Sequence, residues 1–241
     1  MLMLLLSPYP LEYREWSAPD YWSQCGLLYD MEERVYGCTM LLRQGDLAPN
    51  DRSVVFMQRG IAYTELGDTK RANADFADAI KGFDALLARD PGNIEALSYR
   101  GVSHRASGNL ARGVADFDAV IRLQPDNADA YNSRCWARVT NGVELELARR
   151  DCDEAIRLSN RDFNHLDSRA MVSLKLGNFA EAIALYDEAL RARPATARFL
   201  YGRGIAHLRL GEVMKGKADI DEALRIDSSV GEMYRRYSIV P

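Results

Sequence analysis

The sequence predicts an all-α solenoid, in which antiparallel helix pairs stack along one direction. First, an arginine followed by a small residue recurs five times, at intervals of 41, 34, 35 and 34 residues. The small residues are Gly60, Gly101, Cys135, Ala170 and Gly204. Second, a glycine follows each of them after seven residues, at positions 67, 108, 142, 177 and 211. A period near 34 residues indicates one helix–turn–helix unit stacked on copies of itself.

The second copy shows how one unit is expected to fold. Leu97 and Gly101 are four residues apart, which places them on one face of a first helix. Gly108 then allows the left-handed backbone of a tight turn. Phe117 belongs to the apolar stripe of a second helix, which ends before Pro125 because proline cannot continue a helix. Each unit is therefore predicted to be an antiparallel pair, called here helix A and helix B.

The order of these positions resembles the tetratricopeptide repeat. That pattern runs from a small residue in helix A through an aromatic, a glycine, an alanine, a second aromatic and a second alanine to a proline. The fourth copy matches it with Ala170, Gly177, Ala182, Tyr186, Ala189 and Pro194. The resemblance covers residues 53–227, and its Arg-Gly style is similar to bacterial members of the family. It implies a right-handed superhelix in which the A helices line a concave groove.

The predicted division of the chain follows the copies. Residues 1–52 form an N-terminal arm and a capping helix, residues 53–227 form five repeats, and residues 228–241 form a C-terminal capping helix. The repeats are placed at about 53–92, 93–127, 128–161, 162–196 and 197–227. The first copy is longer than the others by nearly two helical turns, so its helix B is expected to extend.

The segments outside the repeats carry separate expectations. Residues 30–43 predict a helix of the B type without a well-formed partner. Residues 230–237 predict a solvated cap that turns its Arg235-Arg236 face to water, because the terminal units of a solenoid need polar outer faces. Met1–Leu6 is apolar and has two interpretations, the remnant of an export signal or a hydrophobic arm that docks on the first helix.

The composition and motifs argue against several functional classes. A net charge of -4 disfavours a dedicated nucleic-acid binder, which usually has a strongly basic face. No stretch approaches the roughly 20 apolar residues of a membrane helix. The GxxxxGK spacing at 211–217 lacks the Ser or Thr that follows in a phosphate loop, and no cysteine and histidine have zinc-ligand spacing. We therefore expect no enzymatic activity, no cofactor and no metal site.

The four cysteines lead to two different expectations. Cys135 and Cys152 lie inside the third copy and are expected to be unpaired thiols of the core. Cys25 and Cys38 flank the lone N-terminal helix, and their placement resembles that of exported bacterial tetratricopeptide proteins. This resemblance implies a disulfide between them, which would place the protein in an oxidising compartment such as the periplasm. The sequence itself leaves both the bacterial cytoplasm and the periplasm open.

The repeated arginines predict a ladder of ion pairs between helices A and B. The arginines are Arg59, Arg100, Arg134, Arg169 and Arg203, and the aspartates on helix B are Asp75, Asp116, Asp151 and Asp219. The fourth copy has Leu185 where the others have the acid, so Asp187 is expected to pair with Arg169. Among the histidines, His104 is expected in the core and His165 at the surface.

The resemblance places a binding function in the concave groove. The apolar stripe of the groove is Ile61, Val102, Trp136, Met171 and Ile205. The flanking residues are Tyr99, Arg105, Asn132, Lys175, Arg198, Tyr201 and Arg209. Trp136 is the expected anchor, because aromatic side chains dominate binding energy when a partner covers them. The alternative is that the stripe packs between neighbouring A helices and is mostly buried.

These observations predict a non-catalytic scaffold that binds a peptide or protein segment in its groove. Residues 190–241 hold 10 basic and 6 acidic side chains, which favours a partner that is acidic toward this end. The lysine and asparagine clamp with which some family members hold a terminal carboxylate is absent. The alternative function is that of a structural or assembly subunit, which forms homo-oligomers through its ends or its convex face.

Overall fold

The structure is a computed structural model that describes residues 20–26 and 30–241. The expectations for Met1–Leu6 and for the rest of the N-terminal arm up to residue 19 lie outside the described residues. Within them the regular elements are thirteen α-helices. Their bounds are α1 Tyr21–Cys25, α2 Met31–Gln44, α3 Pro49–Glu65, α4 Thr69–Leu87, α5 Ile94–Ala106, α6 Leu110–Leu123, α7 Ala128–Asn141, α8 Leu145–Leu158, α9 Phe163–Leu176, α10 Phe179–Ala192, α11 Ala197–Arg209, α12 Val213–Ile226 and α13 Val230–Arg236.

The predicted solenoid of helix pairs is confirmed. Helices α3, α5, α7, α9 and α11 are the A helices, and each packs against the B helix that follows it. Each B helix, from α4 to α10, also packs against the A helix of the next pair. The boundaries of the five repeats that were proposed from the sequence remain a prediction; the last four pairs fall within them, whereas α3 begins four residues before the first boundary.

Close packing within a pair depends on small residues at two facing positions. A Cβ atom at Gly101 in α5 would lie 2.8 Å from the ring of Phe117 in α6. A Cβ atom at Gly113 in α6 would lie 2.9 Å from the carbonyl oxygen of Gly101. The two helices therefore approach until the Phe117 ring lies directly against the backbone of the A helix.

The first repeat is longer, as its sequence predicts. Helix α4 has 19 residues, whereas α6, α8, α10 and α12 each have 14. The A helix of this repeat, α3, is also extended, to 17 residues, and begins at Pro49. The two extensions pack against each other where Ser53 faces Gly82, at which a Cβ atom would overlap the serine side chain.

The lone N-terminal helix has a short partner. Helix α2 begins after Asp30, whose side chain accepts a hydrogen bond from the Glu33 amide at 2.9 Å. Helix α1, of five residues, packs against α2, and a disulfide joins Cys25 to Cys38 with the Cα atoms 4.6 Å apart. The two helices form an incomplete repeat that packs against α3 at the start of the solenoid.

The expectation that Cys135 and Cys152 are unpaired thiols is wrong. The structure joins them in a disulfide between α7 and α8, with the Cα atoms 5.5 Å apart. The reason is their place in the repeat. Cys135 occupies the position of Gly101, and Cys152 occupies the position of Phe117, so the two side chains meet at the contact that glycine and phenylalanine make in the second repeat.

The predicted ladder of arginine and aspartate is present in four repeats. In each, the guanidinium group of the helix-A arginine donates two hydrogen bonds to one carboxylate on helix B, over 2.5 to 3.0 Å. The pairs are Arg59–Asp75, Arg100–Asp116, Arg134–Asp151 and Arg203–Asp219. The hydrogen bond with Asp116 raises the pKa of Arg100 above its usual range.

The fourth repeat departs from the pairing that the sequence predicts. Arg169 donates to Glu181, on the first turn of α10, at 2.7 Å and not to Asp187. Asp187 instead accepts a hydrogen bond from Arg203 of the next repeat at 2.7 Å. Asp187 fails to reach Arg169 because it is one of a second series of carboxylates, which connect each B helix to the following A helix.

Candidate functional site

The predicted apolar stripe runs along the A helices and is covered unevenly. Ile61, Val102 and Trp136, from the first three repeats, are half-buried. Met171 and Ile205, from the last two, are each only 1% exposed. The stripe is therefore partly open toward the N-terminal end of the groove and closed toward the C-terminal end.

The flanking residues do not show this difference between the two ends. Tyr99, Arg105 and Asn132 are half-buried, whereas Tyr201 is buried and Arg209 is exposed. Lys175 and Arg198 are half-buried. Burial lowers the pKa of both Arg105 and Lys175, so these cations lack the full hydration of a surface charge. A groove that holds partly desolvated cations favours a partner with matching polar groups.

The C-terminal segment, defined here as residues 230–241, lies against the concave face. The helix predicted here is present as α13 and its Arg235 and Arg236 are exposed, but its other side is buried against the A helices. Tyr234 is 0% exposed, and its ring lies 5.1 Å from that of Tyr201, centroid to centroid. Its hydroxyl donates a hydrogen bond to the carbonyl oxygen of Arg198 at 2.8 Å and lies 3.1 Å from the Tyr186 hydroxyl.

The segment then crosses the groove to earlier repeats. Tyr237 contacts Trp136 of the third repeat edge to face, with ring centroids 5.5 Å apart. Arg236 forms an ion pair with Glu65, at the end of the first A helix. Apolar and charged contacts thus connect this segment to the first, third and fifth repeats.

The end of the segment folds back toward the last A helix. Ser238 has a φ of 58°, a left-handed conformation that reverses the chain after α13. Ile239 is then buried, and the carbonyl oxygen of Val240 accepts a hydrogen bond from Arg209 at 3.0 Å. A cavity of about 530 Å³ lies beside it, lined in part by Lys175 and Arg209. Two predicted groove residues thus remain accessible next to the segment.

A buried polar cluster lies beneath Tyr234. The Asp167 carboxylate is almost fully buried, and one of its oxygens lies 3.1 Å from the Arg198 Nε atom. Burial raises the pKa of Asp167, and the charge of Arg198 opposes this rise. The other Asp167 oxygen and the side-chain oxygen of Asn132 have no hydrogen-bond partner among the described residues. Both oxygens are buried, so this polar cluster is part of the interior beneath the C-terminal segment.

The histidines were predicted only in part. His104 is buried, as expected. His165 is buried as well, which corrects the expectation of a surface residue. It is held between the Ser159 hydroxyl at 2.8 Å and the Asp129 carboxylate at 3.2 Å. The hydrogen bond from His165 lowers the pKa of Asp129.

We expect His104 to make the stability of the protein depend on pH. Burial lowers the pKa of His104 below its ordinary value of about 6.5, because the folded state disfavours the charged imidazole. The stabilisation is therefore present above the unfolded pKa and is lost as the pH falls below it. Urea unfolding at about pH 7.5 and pH 5.5 should show a larger loss for wild type than for His104→Phe. Equal losses in the two proteins would contradict this account.

The described residues contain neither a candidate metal site nor a candidate membrane-spanning helix. No three His, Cys, Asp or Glu side chains among them lie close enough to hold a metal ion. In the same part of the chain, no helix has both the length and the apolar character that crossing a membrane requires.

Comparison with known proteins agrees with this architecture. The tetratricopeptide repeat family model matches residues 64–128 and 168–229, which is more than half of the chain. No curated protein sequence matches the chain.

Several solved structures share the fold. MamA is 23% identical with a TM-score of 0.56, over 69% of this chain and 96% of that chain. TTC0263, a thermophilic TPR protein of Thermus thermophilus, is 19% identical with a TM-score of 0.60, over 77% and 97%. YrrB, described as a TPR protein with an unusual peptide-binding site, is 17% identical with a TM-score of 0.50, over 73% and 87%. At these identities the likeness concerns the fold alone.

Proposed function

The chain belongs to the tetratricopeptide repeat family, and we propose that it is a non-catalytic scaffold whose concave groove binds a peptide or protein segment. The observation that carries this proposal is the row of half-buried apolar side chains on the first three A helices. Ile61, Val102 and Trp136 face the groove and are not enclosed by the core. A partner that covered them would bury apolar surface, and each Å² removed from water stabilises the complex by about 25 cal/mol.

The polar surroundings of the row support a peptide as the ligand. Arg105 and Lys175 add donors whose hydration is already reduced. Such a mixture of an aromatic anchor and polar groups is typical of protein interfaces.

The charge of the C-terminal end gives less support to an acidic partner than the sequence suggests. Arg203 pairs with Asp187 and Asp219 inside the solenoid. Most other basic groups after residue 197 also lie in ion pairs, with Asp167, Glu212, Glu222, Glu232 and Glu65 as the acids. The excess of positive charge is thus largely neutralised within the chain, so apolar contact is the larger part of the proposed recognition.

The experiment that tests this function is peptide selection from a phage-displayed random library. Selection is run in parallel on immobilised wild type and on Tyr234→Ala/Tyr237→Ala, which removes two aromatic contacts of the C-terminal segment. We expect enriched sequences on at least one of the two proteins. Synthetic versions should bind about tenfold or more weakly after Trp136→Ala, because loss of a central aromatic anchor typically costs about 2 kcal/mol or more.

Lys81→Ala is the matched control, since Lys81 is an exposed residue of the B helix α4. It should leave peptide binding unchanged. If no peptide is enriched on either protein, or if Trp136→Ala binds the enriched peptides as well as wild type does, the groove is not the binding site.

A second candidate function, assembly with further copies, is favoured by the open side of α12. Leu224 and Ile226 are exposed there, as are Val213 and Met214 at its start. Exposed apolar side chains on the end of a solenoid favour stacking on another chain. Light scattering after size exclusion over a range of concentrations distinguishes a stable oligomer from a monomer.

The compartment follows from the cysteines. We propose an oxidising one, such as the bacterial periplasm, because disulfides persist there and are rare in the cytosol. Intact-mass analysis with thiol alkylation, on protein purified from its native source, should find the Cys25–Cys38 and Cys135–Cys152 pairs blocked. Four free thiols would place the protein in a reducing compartment.

A further inference from the structure

We propose that the C-terminal segment is an internal ligand of the groove, and that the external partner displaces it by presenting the same chemistry. That chemistry is a helical segment with two aromatic residues three positions apart and an arginine just before the second. The inference rests on the proposed function, since it names the kind of partner and the regulation of the same groove.

The position of α13 is that of a ligand and not of a further repeat. One repeat period after Ala197, where α11 begins, a sixth A helix would start at residue 231 and pack against α12. Helix α13 begins at the right place, at Val230, but lies on the concave face. As a result Leu224 in α12 is 39% exposed, whereas Leu190, its counterpart one period earlier in α10, is 8% exposed. The segment thus contacts the groove, and the side of α12 on which a sixth A helix would pack stays exposed.

The contacts of the segment are specific for small and aromatic residues. A Cβ atom at Gly231 would lie 2.9 Å from the Tyr201 hydroxyl, so any larger side chain at this position requires the Tyr201 side chain or the helix to move. Tyr234 fills the space above Tyr201, and Tyr237 lies on Trp136. Because Trp136 is also the proposed anchor for a partner, the segment and the partner cannot contact it at the same time.

The basic residue of the segment is recognised by the first repeat. Arg236 pairs with Glu65, and its guanidinium group also lies within 3.5 Å of the carbonyl oxygens of Thr64 and Glu65. Both side chains of the pair are partly exposed, at 28% and 36%. This contact is therefore weakened by salt, whereas the aromatic contacts are not.

The covalent connection makes the segment an effective competitor. Only residues 227–229 separate α12 from α13. A short connection of this kind gives an effective concentration on the order of mM, so a partner of equal intrinsic affinity occupies little of the closed groove at micromolar concentration. A partner binds well only when it makes more contacts than the segment does, or when the segment has been released.

The test uses a fluorescein-labelled synthetic peptide with the sequence of residues 229–241 as the probe. Its binding to three full-length proteins is measured by fluorescence anisotropy. The proteins are wild type, Tyr234→Ala/Tyr237→Ala and Gly231→Leu, and the last two are expected to release the internal segment by different means. We expect the probe to bind both variants about tenfold or more tightly than wild type, since the competing segment no longer occupies the groove.

Two controls connect this binding to the groove. Adding Trp136→Ala to either released variant should abolish the gain, whereas adding Lys81→Ala should not. A probe that itself carries the Tyr234→Ala and Tyr237→Ala changes should not bind. Circular dichroism shows whether each released variant keeps the helix content of wild type. The inference is then tested with the variants that keep it. If neither keeps it, wild type is titrated at rising salt with a probe that carries Arg236→Ala, and tighter binding is expected because salt then weakens only the Arg236–Glu65 contact of the internal segment.

The outcomes separate this inference from the proposed function. If the probe binds wild type and the released variants equally, or binds none of them, the segment is not a competitor and the inference is overturned. The groove function would still stand if phage-selected peptides bound wild type in a manner that required Trp136. If those peptides also failed, both proposals would be overturned together.

Discussion

Replacing Asp151 with alanine should lower the free energy of unfolding by about 3–5 kcal/mol, the cost of leaving buried charges without their partner. Asp151 is 5% exposed. It accepts hydrogen bonds from the Arg134 Nε and Nη2 atoms at 3.0 and 2.5 Å, and it also binds Arg138. Arg138 is itself buried, so the substitution removes one anion from two guanidinium groups at the centre of the solenoid. Urea denaturation followed by circular dichroism measures the loss.

Asp118→Ala is the matched control for this prediction. Asp118 binds the same arginine, Arg134, at 2.6 Å, but its side chain is 39% exposed. An exposed pair contributes about 0–1 kcal/mol, so this variant should lose far less stability than Asp151→Ala. Similar losses in the two variants would mean that burial of the aspartate does not determine the strength of the ladder.

The difference between these two aspartates also shows what the sequence could and could not predict. Each of the four paired repeats has its arginine 16 or 17 residues before the aspartate of helix B, and this regular spacing predicts the pairs within a repeat. A second series lies 16 residues before the arginines, at Asp84, Asp118, Asp153 and Asp187. These carboxylates bind the arginine of the next repeat at 2.6–2.7 Å. This spacing is as regular as the first, but it connects neighbouring units, so a pattern of contacts within one unit does not include it.

The helices themselves could be predicted because their signals are local and repeated. The turn glycines, for example, have φ values between 66° and 84°, which each copy requires for the same reason. Even the longer helix B of the first repeat follows from counting residues. A prediction of this kind needs only the period and the conformational preferences of single residues.

The place of the C-terminal segment could not be predicted in the same way. Its contacts join residues far apart in sequence, such as Arg236 and Glu65, and they occur once. A repeat pattern contains no information about a contact that only one copy makes. The available signals were Gly231 and the spacing of Tyr234 and Tyr237, which put two aromatic rings on one side of α13. The same limit applies to the groove residues, whose exposure depends on this segment.

The second large effect is expected from the disulfide between α7 and α8. Cys135→Ala/Cys152→Ala should lower the free energy of unfolding by about 2–4 kcal/mol, because the bond restricts the unfolded chain and its removal also leaves a poorly filled contact. Reduction of the wild-type protein, which also breaks the Cys25–Cys38 bond, should lower its urea midpoint at least as much. A midpoint that a reducing agent does not change, in a protein with two blocked thiol pairs, would contradict this expectation.

A rescue variant tests why the cysteines occupy these two positions. Cys135 has the place of Gly101 and Cys152 that of Phe117, whose ring lies directly against the glycine in the second repeat. Cys135→Gly/Cys152→Phe would recreate that contact in the third repeat. We expect it to recover much of the stability that the double alanine variant loses, on the order of the 3–5 kcal/mol that a buried phenylalanine contributes. Its unfolding should also no longer respond to a reducing agent through this pair.

If the rescue variant is no more stable than the double alanine variant, the two positions are not equivalent. The disulfide would then compensate for a different packing in the third repeat, where Arg138 and Glu144 also form an ion pair that has no counterpart in the second repeat.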